Sequence, residues 1–264
     1  MATEPIPFQR SRRWHQPLLG LASICAGLGA WWLVARTAGL PAFILPSPRD
    51  VWLRLLTAVA DGSLIFHAGA TLVEIVLGLS LGVGLATILG YAVAKSRALE
   101  RMLSPYLVAS QAIPLVAIAP LLVIWFGPGM FSKVLICAMI VFFPVLVNTI
   151  VGVRAVPNAL HDLMRSLHAR RAQILLKLEV PAALPVFLGG LRIGATLSVI
   201  GAVVGELVGS DRGLGFLINV GRGQYDTALV FVAVFALIGM ALLLYGAVAW
   251  LESRTLLWQE WRKE

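Results

Sequence analysis

The chain has 264 residues, of which 59% are hydrophobic and 13% are charged, and its mean hydropathy is +0.89. Soluble domains carry about 25% charged residues, so this composition excludes an ordinary soluble domain and predicts a protein that crosses a membrane several times. The net charge of +8 would suit nucleic acid. However, the basic residues flank apolar runs instead of forming one patch, so we expect no nucleic acid as a partner.

Residues 1–16 form a polar N-terminal tail that contains Ser11-Arg12-Arg13-Trp14. Paired arginines ahead of an apolar run also occur in twin-arginine export signals. Here the apolar run is long, ends in Trp31 and Trp32, and precedes several others. We therefore interpret the arginines as the cytosolic flank of a first membrane span.

Six apolar segments are long enough to cross a bilayer, which takes about 20 mostly apolar residues. Only helices and closed barrels cross lipid, and these runs are continuous instead of alternating. We therefore predict an all-α integral membrane protein with six transmembrane helices. The predicted spans are residues 17–36, 68–94, 103–126, 132–153, 181–208 and 228–250.

The distribution of lysine and arginine predicts that both termini face the cytosol. With the N-terminus inside, 14 of the 21 basic residues fall on inside segments and Arg192 falls within a span. The other six lie on the outside or at its edges: Arg36, Arg49, Arg54, Lys133, Arg212 and Arg222. Because positively charged loops stay in the cytosol, this bias also places residues 154–179 there.

The first outside connector begins with helix-start signals. Ser47 is a suitable cap, Pro48 suits the first helical position, and Asp50 stands at the third. The apolar residues that follow make one face: Val51, Trp52, Leu55, Leu56 and Val59. Two interpretations stay open, a short helix lying in the outer interface of the membrane and a plain extracellular connector.

Two of the predicted spans carry a small residue at every fourth position. The rows are Gly78, Gly82, Ala86 and Gly90, and Gly190, Gly194, Ser198 and Ala202. Since small residues let membrane helices approach closely, we predict that both rows are packing surfaces. Each four-residue step drifts by about 40° from a straight line, so each row winds around its helix.

A polar segment, residues 154–179, interrupts the apolar runs and is the strongest indication of function. The apolar residues of its first half have helical spacing: Leu160, Leu163, Met164 and Leu167. A shorter set follows: Ile174, Leu175 and Leu178. We predict an elbow of two short helices that breaks at His168, with Pro181 opening the next span. Its apolar face would pack either on its own bundle or in a groove of a cytosolic subunit.

The sequence offers no arrangement for bond chemistry. It contains no nucleophile paired with a base, no glycine-rich phosphate loop, no His-Glu-x-x-His motif and no cluster of metal ligands. Cys25 and Cys137 both lie in apolar runs and indicate no disulfide framework. We therefore predict no catalytic residue, metal or cofactor, and we expect any ATP-driven motor to be a separate protein.

The polar segment contains Asp162-Leu163-Met164, then His168 after three residues, then Leu178-Glu179-Val180-Pro181 after nine more. This spacing resembles the cytosolic coupling loop of permease subunits of bacterial ABC importers, which has Glu-Ala-Ala, Gly and Ile-x-Leu-Pro at these places. His168 replaces the Gly, where a positive φ is expected, and histidine tolerates that conformation at some cost. The resemblance implies ATPase-coupling roles for Asp162, Leu163, Met164, Leu167, His168, Ala169 and Pro181.

Further motifs over residues 40–250 resemble the nitrate, sulfonate and taurine branch of these permeases. They are Leu45-Pro46-Ser47-Pro48, Gln111-Ala112-Ile113-Pro114, Ala119-Pro120-Leu121, Trp125-Phe126-Gly127, Phe142-Phe143-Pro144, Pro181-Ala182-Ala183-Leu184-Pro185, Gly205-Glu206 and Gly213-Leu214-Gly215. Within the branch, the sequence looks nearest to permeases of vitamins and their precursors, such as riboflavin and thiamine pyrimidine precursors.

The resemblance implies a type I ABC importer permease fold. Residues 17–253 would form the transmembrane permease domain, residues 154–180 its coupling loop, and residues 254–264 a cytosolic C-terminal tail. The resemblance places the chain in the lipid bilayer of a bacterial inner or plasma membrane. The implied protein partners are cytosolic ATP-binding subunits, an extracytoplasmic solute-binding protein and a second permease copy. The solute would be a small organic nutrient such as riboflavin or a thiamine pyrimidine precursor, with sulfonate, taurine or nitrate as the alternative.

Charges within spans are expensive and ask for a role. Glu206 and Arg192 are candidates for contact with the pathway or the binding protein, although Glu206 could instead belong to a structural pair. The two are 14 residues apart on one helix, about 21 Å of rise, so they cannot pair with each other. A stand-alone carrier and a membrane scaffold are the competing functions, and a carrier should show ionisable residues at the midplane, whereas Glu74 and Glu206 lie toward span ends.

Overall fold

The computed structural model describes residues 16–112 and 114–256, which form helices joined by short connectors, with no strand in these two ranges. The helices before the polar segment are α1 Gln16–Thr37, α2 Pro48–Ala60, α3 Ser63–Lys95, α4 Arg97–Ala112, α5 Leu115–Phe126 and α6 Met130–Arg154. Those within and after it are α7 Asn158–Ser166, α8 Arg171–Ile174, a π-helical turn Leu175–Glu179, α9 Val180–Val208, α10 Leu214–Gly223 and α11 Thr227–Thr255. Residues 1–15, with the paired arginines that could also mark an export signal, lie outside the described residues. So do residues 257–264 of the predicted C-terminal tail.

Within residues 16–112 and 114–256, four continuous helices are long and apolar enough to cross a membrane: Ser63–Lys95, Met130–Arg154, Arg171–Val208 and Thr227–Thr255. They cover the second, fourth, fifth and sixth predicted spans, and the 22-residue α1 covers the first. The all-helical architecture is thereby confirmed. A count of six crossings stays a prediction.

The third predicted span, residues 103–126, is not one helix. Helix α4 ends at Ala112 and α5 begins at Leu115, after Pro114 in an extended conformation with φ −68° and ψ 104°. Proline lacks a backbone N–H and pushes the preceding residue away from helical geometry, which explains the break. The 12 residues of α5 span only about 18 Å, so α4 and α5 together take the place of the predicted span.

Helix α6 lies at the centre, and the two rows of small residues pack against it. A Cβ added to Gly78 would lie 2.5 Å from Cys137, and one added to Gly190 would lie 2.5 Å from Asn148. The predicted close packing is confirmed. Late in α9 the contact passes to Gly205, which faces Lys133 of α6, because a row of four-residue steps drifts around its helix.

Helix α2 has the predicted start. The Ser47 hydroxyl accepts the Asp50 backbone N–H at 3.3 Å, and the Asp50 carboxylate accepts the Ser47 N–H at 3.1 Å, which confirms the capping box. Val51 and Ala58 are buried in a core shared with α3, α9, α10 and α11, and the Arg54 Nε donates to Asp226 at 2.7 Å. The helix is thus packed onto the bundle, and its place in a membrane interface stays a prediction.

The chain runs back and forth between two ends of the bundle. We call the end that holds α7 and α8 the elbow end, and the opposite end, where α2 and α10 lie, the far end. At the far end, Lys133 near the start of α6 contacts Glu74 in the first half of α3. At the elbow end, Arg154, the last residue of α6, donates to the carbonyl of Val93 near the end of α3. Helices α3 and α6 are therefore antiparallel.

Candidate functional site

The polar segment forms the predicted elbow, and its corner is a left-handed turn. Helix α7 ends at Ser166, and His168 has φ 52°. The His168 N–H donates to the Arg165 carbonyl at 2.9 Å, and the Ala169 N–H donates to the Met164 carbonyl at 3.0 Å. These two bonds make a Schellman motif with His168 at the position that glycine usually fills. The break and the positive φ are both confirmed.

The second arm of the elbow differs from the prediction. It is not a separate short helix, because α8 passes through the π-helical turn straight into α9, giving a continuous helix over Arg171–Val208. Pro181 is the physical reason, since it cannot donate to the Lys177 carbonyl and its ring crowds that group. The chain responds with a wider turn, in which the Val180 N–H bonds to Leu175.

Three leucines one turn apart, two on α7 and one at its C-cap, present an apolar surface, which we call the elbow face: Leu160, Leu163 and Leu167. They are exposed, with Leu167 at 68%. Of the other predicted coupling residues, Asp162 and His168 are exposed, whereas Met164, Ala169 and Pro181 are half-buried. The three leucines therefore lie on one side of α7 and its corner, whereas Asp162 lies about 100° or more away from them around the helix.

Glu179, in the π-helical turn, is buried and ties the elbow to α3. Its carboxylate forms an ion pair with the Lys95 Nζ and accepts the Tyr91 hydroxyl at 3.0 Å. The Nε2 of His161 on α7 lies 3.0 Å from the same carboxylate. The sequence analysis did not single out Glu179. No local pattern indicates it, because its partners Tyr91, Lys95 and His161 lie on other helices.

A polar groove of about 680 Å³ separates α7 from the elbow end of the bundle. Lys95, Arg97, Arg154, His161, Asp162 and Arg165 are among the residues that line it. On its wall the Arg154 guanidinium donates to Glu100 at 2.8 Å. This hydrogen bond holds the pKa of the Glu100 carboxyl below its ordinary value. The groove is hydrophilic and predominantly basic.

Two charged side chains at the far end are buried and paired. Glu74 of α3 accepts the Lys133 Nζ at 2.6 Å, and neither residue is more than 1% exposed. Lys133 also donates to the Ser210 hydroxyl at 2.7 Å, which connects the pair to the connector after α9. Glu74 is therefore a member of a buried ion pair that joins three elements.

Glu206 is fully buried and caps the start of α10. Its carboxylate accepts the Gly215 N–H at 2.5 Å and the Thr71 hydroxyl at 2.6 Å. The Leu214 N–H in turn donates to the Thr71 hydroxyl at 2.8 Å. Gly213 has φ 111°, and a Cβ there would overlap the Glu206 carboxylate, so glycine is required for two reasons. No local pattern predicts α10, because its cap comes from Thr71 of α3 and Glu206 of α9.

Arg192 lies in the half of α9 nearer the elbow end, and α11 supplies its partners. Its guanidinium pairs with Glu252 of α11 and lies 5.0 Å from the centre of the Tyr245 ring. Arg192 and Glu206 thus have separate partners, as their spacing on α9 requires. Contact of Glu206 or Arg192 with a solute or a binding protein stays a prediction.

Comparisons with known proteins give concordant results. A family model described as "Binding-protein-dependent transport system inner membrane component" matches residues 78–257. The riboflavin transport system permease protein RibX of Chloroflexus aurantiacus is 45% identical over 249 residues, covering 94% of this chain and 93% of RibX. The formylaminopyrimidine transport permease protein ThiX of Halalkalibacterium halodurans is 37% identical, covering 87% of this chain and 91% of ThiX. The taurine transport system permease protein TauC of Escherichia coli is 34% identical, covering 88% and 89%.

The fold is also similar to a solved structure. A chain of the MetNI methionine ABC transporter, in a study of its inward-facing conformations, aligns with a TM-score of 0.63 and 19% identity. The alignment covers 72% of this chain and 94% of that chain. At this identity the likeness concerns the fold.

Proposed function

The chain belongs to the family of binding-protein-dependent transport system inner membrane components, the permease subunits of ABC importers, and we propose that it moves riboflavin or a thiamine pyrimidine precursor across the membrane. The observation that carries this choice of solute is the 45% identity to the riboflavin permease along almost the whole chain. Identity to the formylaminopyrimidine permease is 37%, and to the taurine permease 34%. Import of taurine, a sulfonate or nitrate by the same mechanism is the alternative.

We propose that the elbow faces the cytosol and binds an ATP-binding subunit. The elbow face is a compact apolar surface on a short helix, surrounded by charged residues, and such a helix suits a groove on another protein. The Schellman turn at His168 holds α7 in one orientation. The chain itself would hydrolyse no ATP, and its part would be to convert movement of the elbow into movement of the bundle.

The second arm of the elbow is continuous with α9, which supports the transfer of movement from the elbow to the bundle. Because Arg171–Val208 is one helix through the π-helical turn, a displacement of the elbow passes directly into α9. Helix α9 packs along α6 through glycines, as at Gly190 and Gly205, where side chains are small enough for sliding and close contact. We propose that rocking of α9 on α6 opens and closes the solute pathway.

We propose further that a solute-binding protein delivers solute at the far end and that two permease copies enclose the pathway. The far end carries the α9–α10 connector, in which Asp211 and Arg212 are exposed. Exposed charges on a rigid support suit a polar, reversible contact. The support here is the buried network of Glu74, Lys133 and Glu206.

The experiment that tests the function is uptake by proteoliposomes. The permease would be reconstituted with an ATP-binding subunit and a solute-binding protein from the same organism, and then supplied with labelled riboflavin, formylaminopyrimidine or taurine. Our proposal expects ATP-dependent uptake of riboflavin or the pyrimidine that requires the binding protein. Uptake of taurine but of neither riboflavin nor the pyrimidine would overturn the choice of solute. Uptake by the permease without the other two proteins would overturn the ABC mechanism.

A further inference from the structure

We propose that Glu179 is a positioning residue that latches the elbow to α3, so that the elbow and the elbow end of α3 move as one body when the ATPase acts. This inference rests on the proposed function, since it assumes that an ATP-binding subunit moves the elbow. It adds a residue outside the elbow face, and a second route by which force leaves the elbow.

The geometry that supports the latch is a buried carboxylate shared by three segments. Glu179 is only 2% exposed. It lies in the π-helical turn Leu175–Glu179 between α8 and α9, which we call the hinge. Its partners are Tyr91 and Lys95 on α3 and His161 on α7. A buried carboxylate is costly unless it is paired and hydrogen-bonded, so these contacts resist separation of the segments.

The hinge itself has room to move. Beside Glu179 lies an apolar crevice of about 410 Å³ between α3, α6 and α9. Ile88, Val153, Leu184 and Phe187 are among its lining residues. The π-helical turn is a local irregularity in an otherwise continuous helix. Without a tie across the crevice, the elbow and α9 could move together while α3 stayed in place.

The latch therefore determines which helices move when the elbow is displaced. With Glu179 bound to Lys95 and Tyr91, a push on α7 moves α3 together with the hinge. Helix α3 packs on α6 along the row from Gly78 to Gly90, and α9 packs on α6 from the other row. Both partners of the central helix would then be driven at once.

Distance measurements between spin labels test this directly in the complete complex, with only one permease copy labelled and Cys25 replaced by serine. One pair joins the elbow to α3, through Ser166→Cys and Leu85→Cys, and the other joins the elbow to α11, through Ser166→Cys and Ser253→Cys. All three sites are exposed. On ATP binding we expect the elbow–α11 distance to change and the elbow–α3 distance to stay constant. A wild-type elbow–α3 distance that changes would overturn the latch, and this result does not depend on any variant folding.

The variant Glu179→Gln keeps the side-chain volume and removes the charge. We expect ATP binding to change its elbow–α3 distance, and the solute transported per ATP hydrolysed to fall about tenfold, because the buried carboxylate loses its ion pair with Lys95. Lys95→Gln should have the same effect, and the double variant should be no worse than either single one, since both remove one interaction. The control is Arg54→Gln, which breaks the ion pair with Asp226 at the far end and touches no part of the elbow.

The possible failures are distinct. If wild-type complexes transport none of the solutes but the label distances behave as expected, the choice of solute fails and the latch stands. If wild-type complexes transport solute and Glu179→Gln transports equally well per ATP, the latch fails and the function stands. Additive losses in the Lys95 and Glu179 variants would likewise overturn the latch.

Discussion

The carboxylate of Glu206 accepts the backbone N–H of Gly215 at 2.5 Å, so a buried acid on α9 supplies the cap for α10. A carboxylate is favoured at a helix N-terminus, where free N–H groups and the helix dipole both attract negative charge. The Thr71 hydroxyl bonds to the same carboxylate and to the Leu214 N–H. Three helices are therefore fixed at one point of the far end, and the glycines of Gly213-Leu214-Gly215 leave room for the carboxylate.

This arrangement predicts that Gly213→Ala destabilises the permease. Alanine at φ 111° is strained and its Cβ would overlap the Glu206 carboxylate, so we expect a loss of about 2–4 kcal/mol. Thermal unfolding of the purified protein in detergent measures it. Gly223→Ala is the control, because a Cβ at Gly223 meets nothing within 4 Å. Equal melting temperatures for the two variants would contradict the described cap.

The buried pair of Glu74 and Lys133 predicts a non-additive response. Lys133→Met leaves the carboxylate of Glu74 buried without its cation and should cost about 3–5 kcal/mol. Adding Glu74→Gln removes the orphaned charge and should recover much of that loss. The melting temperatures of the single and double variants measure both effects. A double variant less stable than Lys133→Met would show that the pair is not as described.

The turn at His168 predicts a ranking of substitutions. His168→Gly should be tolerated or slightly stabilising, because glycine adopts φ 52° without strain. His168→Val should cost about 1–2 kcal/mol, since a β-branched residue resists the left-handed region. The melting temperature and the yield of copurified ATP-binding subunit are the measurements. Ala172→Val, exposed on α8 with a right-handed helical backbone, is the control, and equal tolerance of valine at both positions would contradict the proposed strain at His168.

The elbow face predicts a specific loss of assembly. Replacing Leu163 and Leu167 with aspartate should weaken binding of the ATP-binding subunit by about 100-fold or more, as is typical when central apolar contacts are lost. Membrane insertion should be unaffected, because both side chains are exposed in the permease itself. Copurification from membranes measures the effect. Ser166→Asp, also exposed on α7, is the control, and normal copurification of the double variant would defeat the assignment of the elbow.

Local features of the fold could be predicted from the sequence, whereas tertiary contacts could not. The cap at Ser47 and the turn at His168 depend on residues within one or two turns, and the spacing alone indicates them. The break at Pro114 was within reach, because proline disfavours helix at the residue before it, but the length of the predominantly apolar run favoured a single span. Glu179 and Glu206 are explained only by partners on distant helices, so no local pattern indicates that both are buried anchors.

The orientation of the elbow tests the account most directly, because an ATP-driven motor can reach it only from the cytosol. In a background with Cys25 replaced by serine, Arg170→Cys would place a thiol at the exposed start of the second arm, and Arg222→Cys would place one at the far end as a control. A membrane-impermeant maleimide is then applied to spheroplasts before and after permeabilisation. The account predicts that Arg222→Cys reacts in intact spheroplasts and Arg170→Cys reacts only after permeabilisation. Labelling of Arg170→Cys in intact spheroplasts would contradict it.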